Sequence, residues 1–332
     1  MDLPLIAAGV IGFGLFMYVL LDGFDLGLGA LFLFMPEAKD RDVAIDSVAP
    51  IWDGNETWLV LGGVGLFGAF PLAYATLLPA LYVPVMVMLF ALIFRGVAFE
   101  YRAKAVKLRW AWDWGFAAGS TIAAFFQGVM LGAVLGGFRI EHGGFVGGPF
   151  DWVSPFALMS GAGLVCGYAL LGAAWLVLKT EGGLRDWAFL VLKRLMPVLA
   201  LFILLVSVWT PLQHPAIAAR WFAWPNLLYL SPVPIATAVL FLTLWRAVAA
   251  RRELAPFLLA IGLFALSYAG LAISLYPHIV PPEITVWQAA APKESLEFLL
   301  IGVAVLLPII LVYTAHNYWV FRGKVRPGEG YH

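Results

Sequence analysis

Apolar residues run along this chain in blocks of roughly 20 or more, separated by short polar stretches. Nine such blocks fall near residues 5–34, 51–73, 76–98, 114–136, 154–178, 188–210, 228–249, 256–277 and 295–320. In lipid a helix satisfies its own backbone, and about 20 apolar residues cross the hydrocarbon core, so each block predicts a spanning helix. The pattern therefore predicts an all-α, polytopic membrane protein forming one integral-membrane domain over residues 1–332. The first block is too long for a bilayer of about 30 Å at about 1.5 Å per residue, so it is expected to tilt or project. Residues 209–224 and 279–293, with their Pro, Trp and Gln, predict loops on one side.

Composition agrees with this pattern. Of 332 residues 63% are hydrophobic and 12% charged, with mean hydropathy +0.92, against about 25% charged residues in soluble domains. The formal charge is zero and no basic block suggests nucleic acid. The single cysteine, Cys166, lies in an apolar run and excludes a disulfide framework or thiolate cluster. The start, MDLPLIAAG, carries an acid where a cleaved signal needs a base, so it reads as a retained first span. Of the 20 Lys and Arg, 17 cluster around the loops after spans 1, 3, 5, 7 and 9. The positive-inside rule then predicts an outer N-terminus and a cytoplasmic C-terminus. Trp110, Trp112 and Trp114 read as interfacial anchors. The shared wording of DWGF at 113–116 and DWAF at 186–189 is too short to define a repeat.

Charges inside the blocks carry the chemistry. A central charge costs about 2.5–3.5 kcal/mol on insertion scales, so each needs a partner, a cavity or a function. Span 1 holds Asp22 and Asp25, and span 2 holds Asp53 and Glu56, each pair at i, i+3 and so on one face. Span 3 ends in FRGVAFEYR, with Arg95, Glu100 and Arg102. If these three helices are neighbours, the four acids and Arg95 gather toward one side of the membrane. One reading is capping and pairing, with Arg95 neutralising an acid. The other is a proton entry path, or a bound cation near Asp25 and Asp53, among acids that exchange protons near neutral pH.

A redox centre inside the spans would need axial ligands such as His or Met. His142, His214 and His278 fall in predicted outer loops and His332 at the terminus; only His316 sits near a span end. No histidine pair faces across two helices, so haem ligation by this chain is not expected.

Several stretches are specific. DGFDLGLG at 22–29, PIWDGNETWLVLGGVGLFGAFPLAYATLLPALY at 50–82, FRGVAFEYRAK at 94–104, WDWGF at 112–116 and YTAHNYWVF at 313–321 resemble subunit II of the bd-type quinol oxidases. Glu56 and the NETWLVLGG wording are closer to the cyanide-insensitive branch. The resemblance implies a complex of the bacterial inner membrane that oxidises quinol, reduces dioxygen to water and builds a proton gradient. It implies that haems b558, b595 and d lie on a partner, subunit I, that this chain binds no haem, and leaves open small accessory subunits.

Position by position, the resemblance gives Asp53 a role in a proton route from the cytoplasm, with Asp25, Asp22 and Glu100 beside it. Trp58 matches a tryptophan at the mouth of a proposed oxygen path. Glu56 replaces an amide of the classical branch, and either extends the proton path or pairs with Arg95. His316 stands where that branch has an apolar residue. Two rivals remain at this stage: a proton- or cation-coupled transporter using the same acids, and a purely structural partner subunit.

Overall fold

The computed structural model describes residues 1–105, 107–141 and 143–325; His142 and His332, read above as outer and terminal histidines, lie outside them. Its helices are α1 (Leu3–Leu31), α2 (Ala38–Val48), α3 (Trp52–Glu56), α4 (Trp58–Ala69), α5 (Pro71–Lys104) and α6 (Arg109–Gly136). After the hairpin β1 (Ile140–Glu141) and β2 (Gly144–Phe145) come α7 (Pro155–Lys179), α8 (Gly182–Gln213), α9 (Pro215–Phe222), α10 (Asn226–Leu230), α11 (Pro232–Ala249) and α12 (Ala255–Leu275). A second hairpin, β3 (His278–Val280) with β4 (Ile284–Thr285), leads to α13 (Val286–Ala289) and α14 (Lys293–Val320). Local chemistry sets several starts. The Asp2 carboxylate accepts from the Leu5 N–H ahead of α1, Ser154 does the same for Ala157 ahead of α7, and a proline opens α5, α7 and α11.

Among the described residues eight helical stretches are long and apolar enough to cross a membrane. The expected second span differs. It is broken at Thr57, whose hydroxyl bonds back to the Gly54 carbonyl at 2.7 Å, and it ends at Ala69 because Pro71 starts α5 immediately. Span 3 is correspondingly longer than 76–98, so Arg95 lies within α5 rather than closing it. The predicted loop at 209–224 is largely helical, as the end of α8 and all of α9.

Helices α1 and α7 form the centre, with α6, α5 and α8 around them and α4 and α14 on the other flank of α1. Small residues allow the closest crossings. A methyl group on Gly27 would sit 1.7 Å from the Tyr168 carbonyl oxygen, and one on Gly172 2.4 Å from the Leu28 nitrogen. This is the small-residue packing that replaces the hydrophobic effect inside lipid. Toward the rim the helices grow bare: α14 presents an apolar surface running from Phe298 through Ile301, Val305 and Ile309 to Val312.

Most of the basic residues share one end of the bundle. There α2 is tied across α5 and α6 by Arg102 to Asp113 at 2.5 Å and to Asp42 at 2.9 Å, and by Arg41 to Asp113 at 2.9 Å. At the same end the segment after α14 is clamped down. Lys179 donates to the carbonyls of Phe321 and Gly323, and the Val325 N–H returns to the Lys179 carbonyl at 2.8 Å. Lys324 reaches Glu253 at 2.7 Å, and Arg185 meets the same carboxylate at 2.6 Å. The hydrogen bond from Lys324 holds the Glu253 carboxyl below its usual range.

Candidate functional site

Asp22 and Asp25 face the same side of α1, three residues apart, and are 0% and 3% exposed. Opposite them α3 supplies Asn55 and Glu56, and α5 supplies Arg95. Arg95 stands where α5 and α6 nearly touch, since a methyl on Gly119 would meet the Arg95 backbone nitrogen at 2.9 Å. Its guanidinium donates to Asp22 at 2.6 Å and to Glu56 at 2.9 Å. The Trp52 ring lies 5.8 Å from its central carbon. One cation is thus shared by two carboxylates, one sealed and one, Glu56, with 29% of its side chain exposed.

Asp25 is held differently. The Asn55 carboxamide donates to Asp25 at 2.8 Å and to the Leu21 carbonyl at 3.3 Å, while its oxygen accepts from the Tyr318 hydroxyl of α14 at 2.9 Å. Next to it, Asn317 caps the Pro50 carbonyl at 3.1 Å. Asp22 Oδ2 and Asp25 Oδ1 are buried with no hydrogen-bond partner among the described residues. Two carboxylates therefore share one guanidinium while the third, Asp25, takes the Asn55 amide, and one oxygen each of Asp22 and Asp25 is left to accept a proton or a water.

One helical turn before Asp22, Tyr18 begins a further buried line. Gln127 of α6 donates to the Tyr18 hydroxyl at 2.7 Å, and Tyr168 of α7 donates to the Gln127 oxygen at 2.9 Å. Tyr168 in turn stacks on Phe264 of α12.

The expected group is brought together in part. Asp22, Asp25, Glu56 and Arg95 converge; Asp53 and Glu100 are exposed on α3 and α5. Asp53 is two residues from Asn55, about 200° round the helix, so it faces away from Asp25. Of the two acids expected near a bound cation, Asp25 accepts from the Asn55 amide at 2.8 Å and Asp53 is exposed on α3. No group of three or more His, Cys, Asp and Glu that could hold a metal occurs among the described residues. Arg95 pairs with two acids where one was expected. Trp58 is 2% exposed, its ring edge-on to Phe13 at 6.0 Å, and its indole N–H has no partner among the described residues. His316 is exposed on α14 beside Trp319, while His214 and His278 lie at the end of α8 and in β3. Asn55, Tyr318, Tyr18, Gln127 and Tyr168 were missed as site residues. A lone Gln inside an apolar block was the available signal, since an amide in lipid also needs partners.

Residues 3–321 match the family described as cytochrome bd terminal oxidase subunit II. The chain is 30% identical to the cytochrome bd-I ubiquinol oxidase subunit 2 of Escherichia coli (strain K12), over 95% of this chain and 93% of that protein. It is 29% identical to the cytochrome bd ubiquinol oxidase subunit 2 of Bacillus subtilis (strain 168), over 99% and 97%. Its fold matches a chain of the bd oxidase from Geobacillus thermodenitrificans, with TM-score 0.73 and 19% identity over 97% of this chain and 99% of that one.

Proposed function

Because this chain belongs to the cytochrome bd terminal oxidase subunit II family and is a subunit of a bd-type quinol:oxygen oxidoreductase, we propose that it carries the early part of a proton path for oxygen reduction. The observation that supports this most is the acid line itself. It runs from half-buried Glu56 to sealed Asp22, the two held on either side of the Arg95 guanidinium, with Asp25 one turn nearer the basic end of α1. In this reading the basic end of the bundle is cytoplasmic, as the positive-inside rule asks, and the complex sits in the bacterial inner membrane. The haems and the quinol-oxidising site belong to subunit I.

Each dioxygen reduced to water consumes four protons, and a coupled oxidase draws them from the cytoplasm. Exposed Asp53 and Glu100 stand on the helices that carry Glu56 and Arg95, and supply carboxylates at the entry. Glu56 takes the proton next. Its protonation weakens its hold on Arg95; the proton then passes by way of a bridging water to Asp22, Glu56 recovers its charge and its hold on the guanidinium, and Arg95 keeps its own protons throughout. A relay of this kind needs groups within hydrogen-bond or one-water reach of each other. Trp58, with Phe13, offers an apolar aromatic surface between α1 and α4 and is proposed to border the route by which dioxygen leaves the lipid.

Asp53→Asn in the intact complex tests the path. The relay predicts a large loss of quinol-driven oxygen consumption with haem bands unchanged. A purely structural subunit predicts either loss of assembly or no effect.

A further inference from the structure

We propose that Tyr318 is a positioning residue for the proton path: it holds the Asn55 carboxamide in the one orientation that aims its NH2 group at Asp25. This rests on the reading of Asp25 as part of that path. Asn55 is 1% exposed, so each of its polar atoms needs a protein partner. Its NH2 group serves two acceptors, Asp25 Oδ2 and the Leu21 carbonyl. Its oxygen accepts from the Tyr318 hydroxyl. Turned by 180°, the amide would set its oxygen against a carboxylate and a carbonyl, three acceptors together with no proton between them. Tyr318 supplies the donor that leaves the observed orientation fully satisfied.

Tyr318 is itself well placed to be rigid. Its ring meets Phe24 at 6.5 Å and Trp175 at 6.3 Å, both edge-on. The neighbouring Asn317 is fixed to the Pro50 carbonyl. Three residues after Tyr318, the chain enters the clamp in which Lys179 holds the Phe321 and Gly323 carbonyls. Helix α14, otherwise bare toward its surroundings, is thus anchored at the level of Asp25. The donor order runs from Tyr318 through Asn55 to Asp25, so the tyrosine determines what the carboxylate feels without touching it.

The test uses the purified complex with full haem content. Tyr318→Phe and Asn55→Leu are each expected to lower kcat about 10-fold, with KM for quinol unchanged, which corresponds to one hydrogen bond to a charged group. The double variant is expected to fall no further than Asn55→Leu alone. Tyr318→Phe with wild-type turnover, a raised KM at normal kcat, or losses that multiply in the double variant would each overturn the assignment. Asp25→Asn separates the two levels. Full turnover there sinks the proton-path reading itself, whereas an impaired Asp25→Asn beside a normal Tyr318→Phe removes only the role of Tyr318. Should Tyr318→Phe assemble without full haem, the Asn55→Leu arm decides, since it must show the same fall in kcat at constant KM.

Discussion

Replacing Arg95 with glutamine removes the cation that pairs with Asp22, and the structure fixes what this should cost. Asp22 and Arg95 are 0% and 2% exposed in their side chains, so the Asp22 arm is a fully buried pair. Breaking such a pair by deleting one partner costs about 3–5 kcal/mol, because a charge is left without compensation. The Glu56 arm is partly solvated, with 29% of that side chain exposed, and adds at most about 1 kcal/mol. Most of the penalty is therefore the stranded Asp22 charge rather than the lost attraction. Neutralising that charge as well, in Asp22→Asn/Arg95→Gln, should restore at least about half of the loss, giving a coupling of about 2–3 kcal/mol. The assay is unfolding of the purified complex in mixed micelles of increasing SDS, followed by tryptophan fluorescence. A double variant no more stable than Arg95→Gln would refute the reasoning, as would a single variant that unfolds like wild type.

Gly27→Ala forces a methyl group to within 1.7 Å of the Tyr168 carbonyl oxygen, so α1 and α7 must separate. The expected loss is at least about 1–3 kcal/mol and a fall in assembled complex, whereas Gly9→Ala, with open space around it, should melt as wild type. Trp58→Ala is expected to weaken apparent oxygen affinity without changing quinol KM; an unchanged oxygen affinity removes Trp58 from the oxygen route. The depressed Glu253 carboxyl stabilises the clamp above its unfolded value of about 4.5, and that support is lost as pH falls through the lower folded value. Protection from hydrogen exchange at residues 321–325, taken relative to the intrinsic exchange rate at each pH, should accordingly fall in acid in the wild type, but be low already at neutral pH and change little below it in Glu253→Gln.

The spanning elements were legible because lipid leaves the backbone few alternatives, so apolar length alone locates α1, α6, α7, α12 and α14 closely. Helix α2 was not legible. It is short and polar, and it is held by ion pairs from Arg41, Arg102 and Arg109 to acids on α2 and α6 that no periodicity announces. The break at Thr57 was hidden for a similar reason: a single side chain bonding to Gly54 ends one helix inside an apolar block. Intramembrane charges pointed to Asp22, Asp25, Glu56 and Arg95, since each is costly in lipid. Asp53, singled out by the same logic, lies exposed on the outer side of a short helix and apart from that cluster. That logic also passed over Asn55 and Tyr318, whose neutral polar groups cost less than a charge and whose partners come from distant parts of the chain.

The central claim is that the buried carboxylates of this chain deliver protons for oxygen reduction. It is tested most directly by following proton uptake by the reconstituted complex after an oxygen pulse to the fully reduced enzyme, in wild type and in Asp25→Asn. Uptake slowed at least about tenfold, with oxygen binding and haem content unchanged, is the predicted result. Uptake at the wild-type rate in Asp25→Asn would contradict the account.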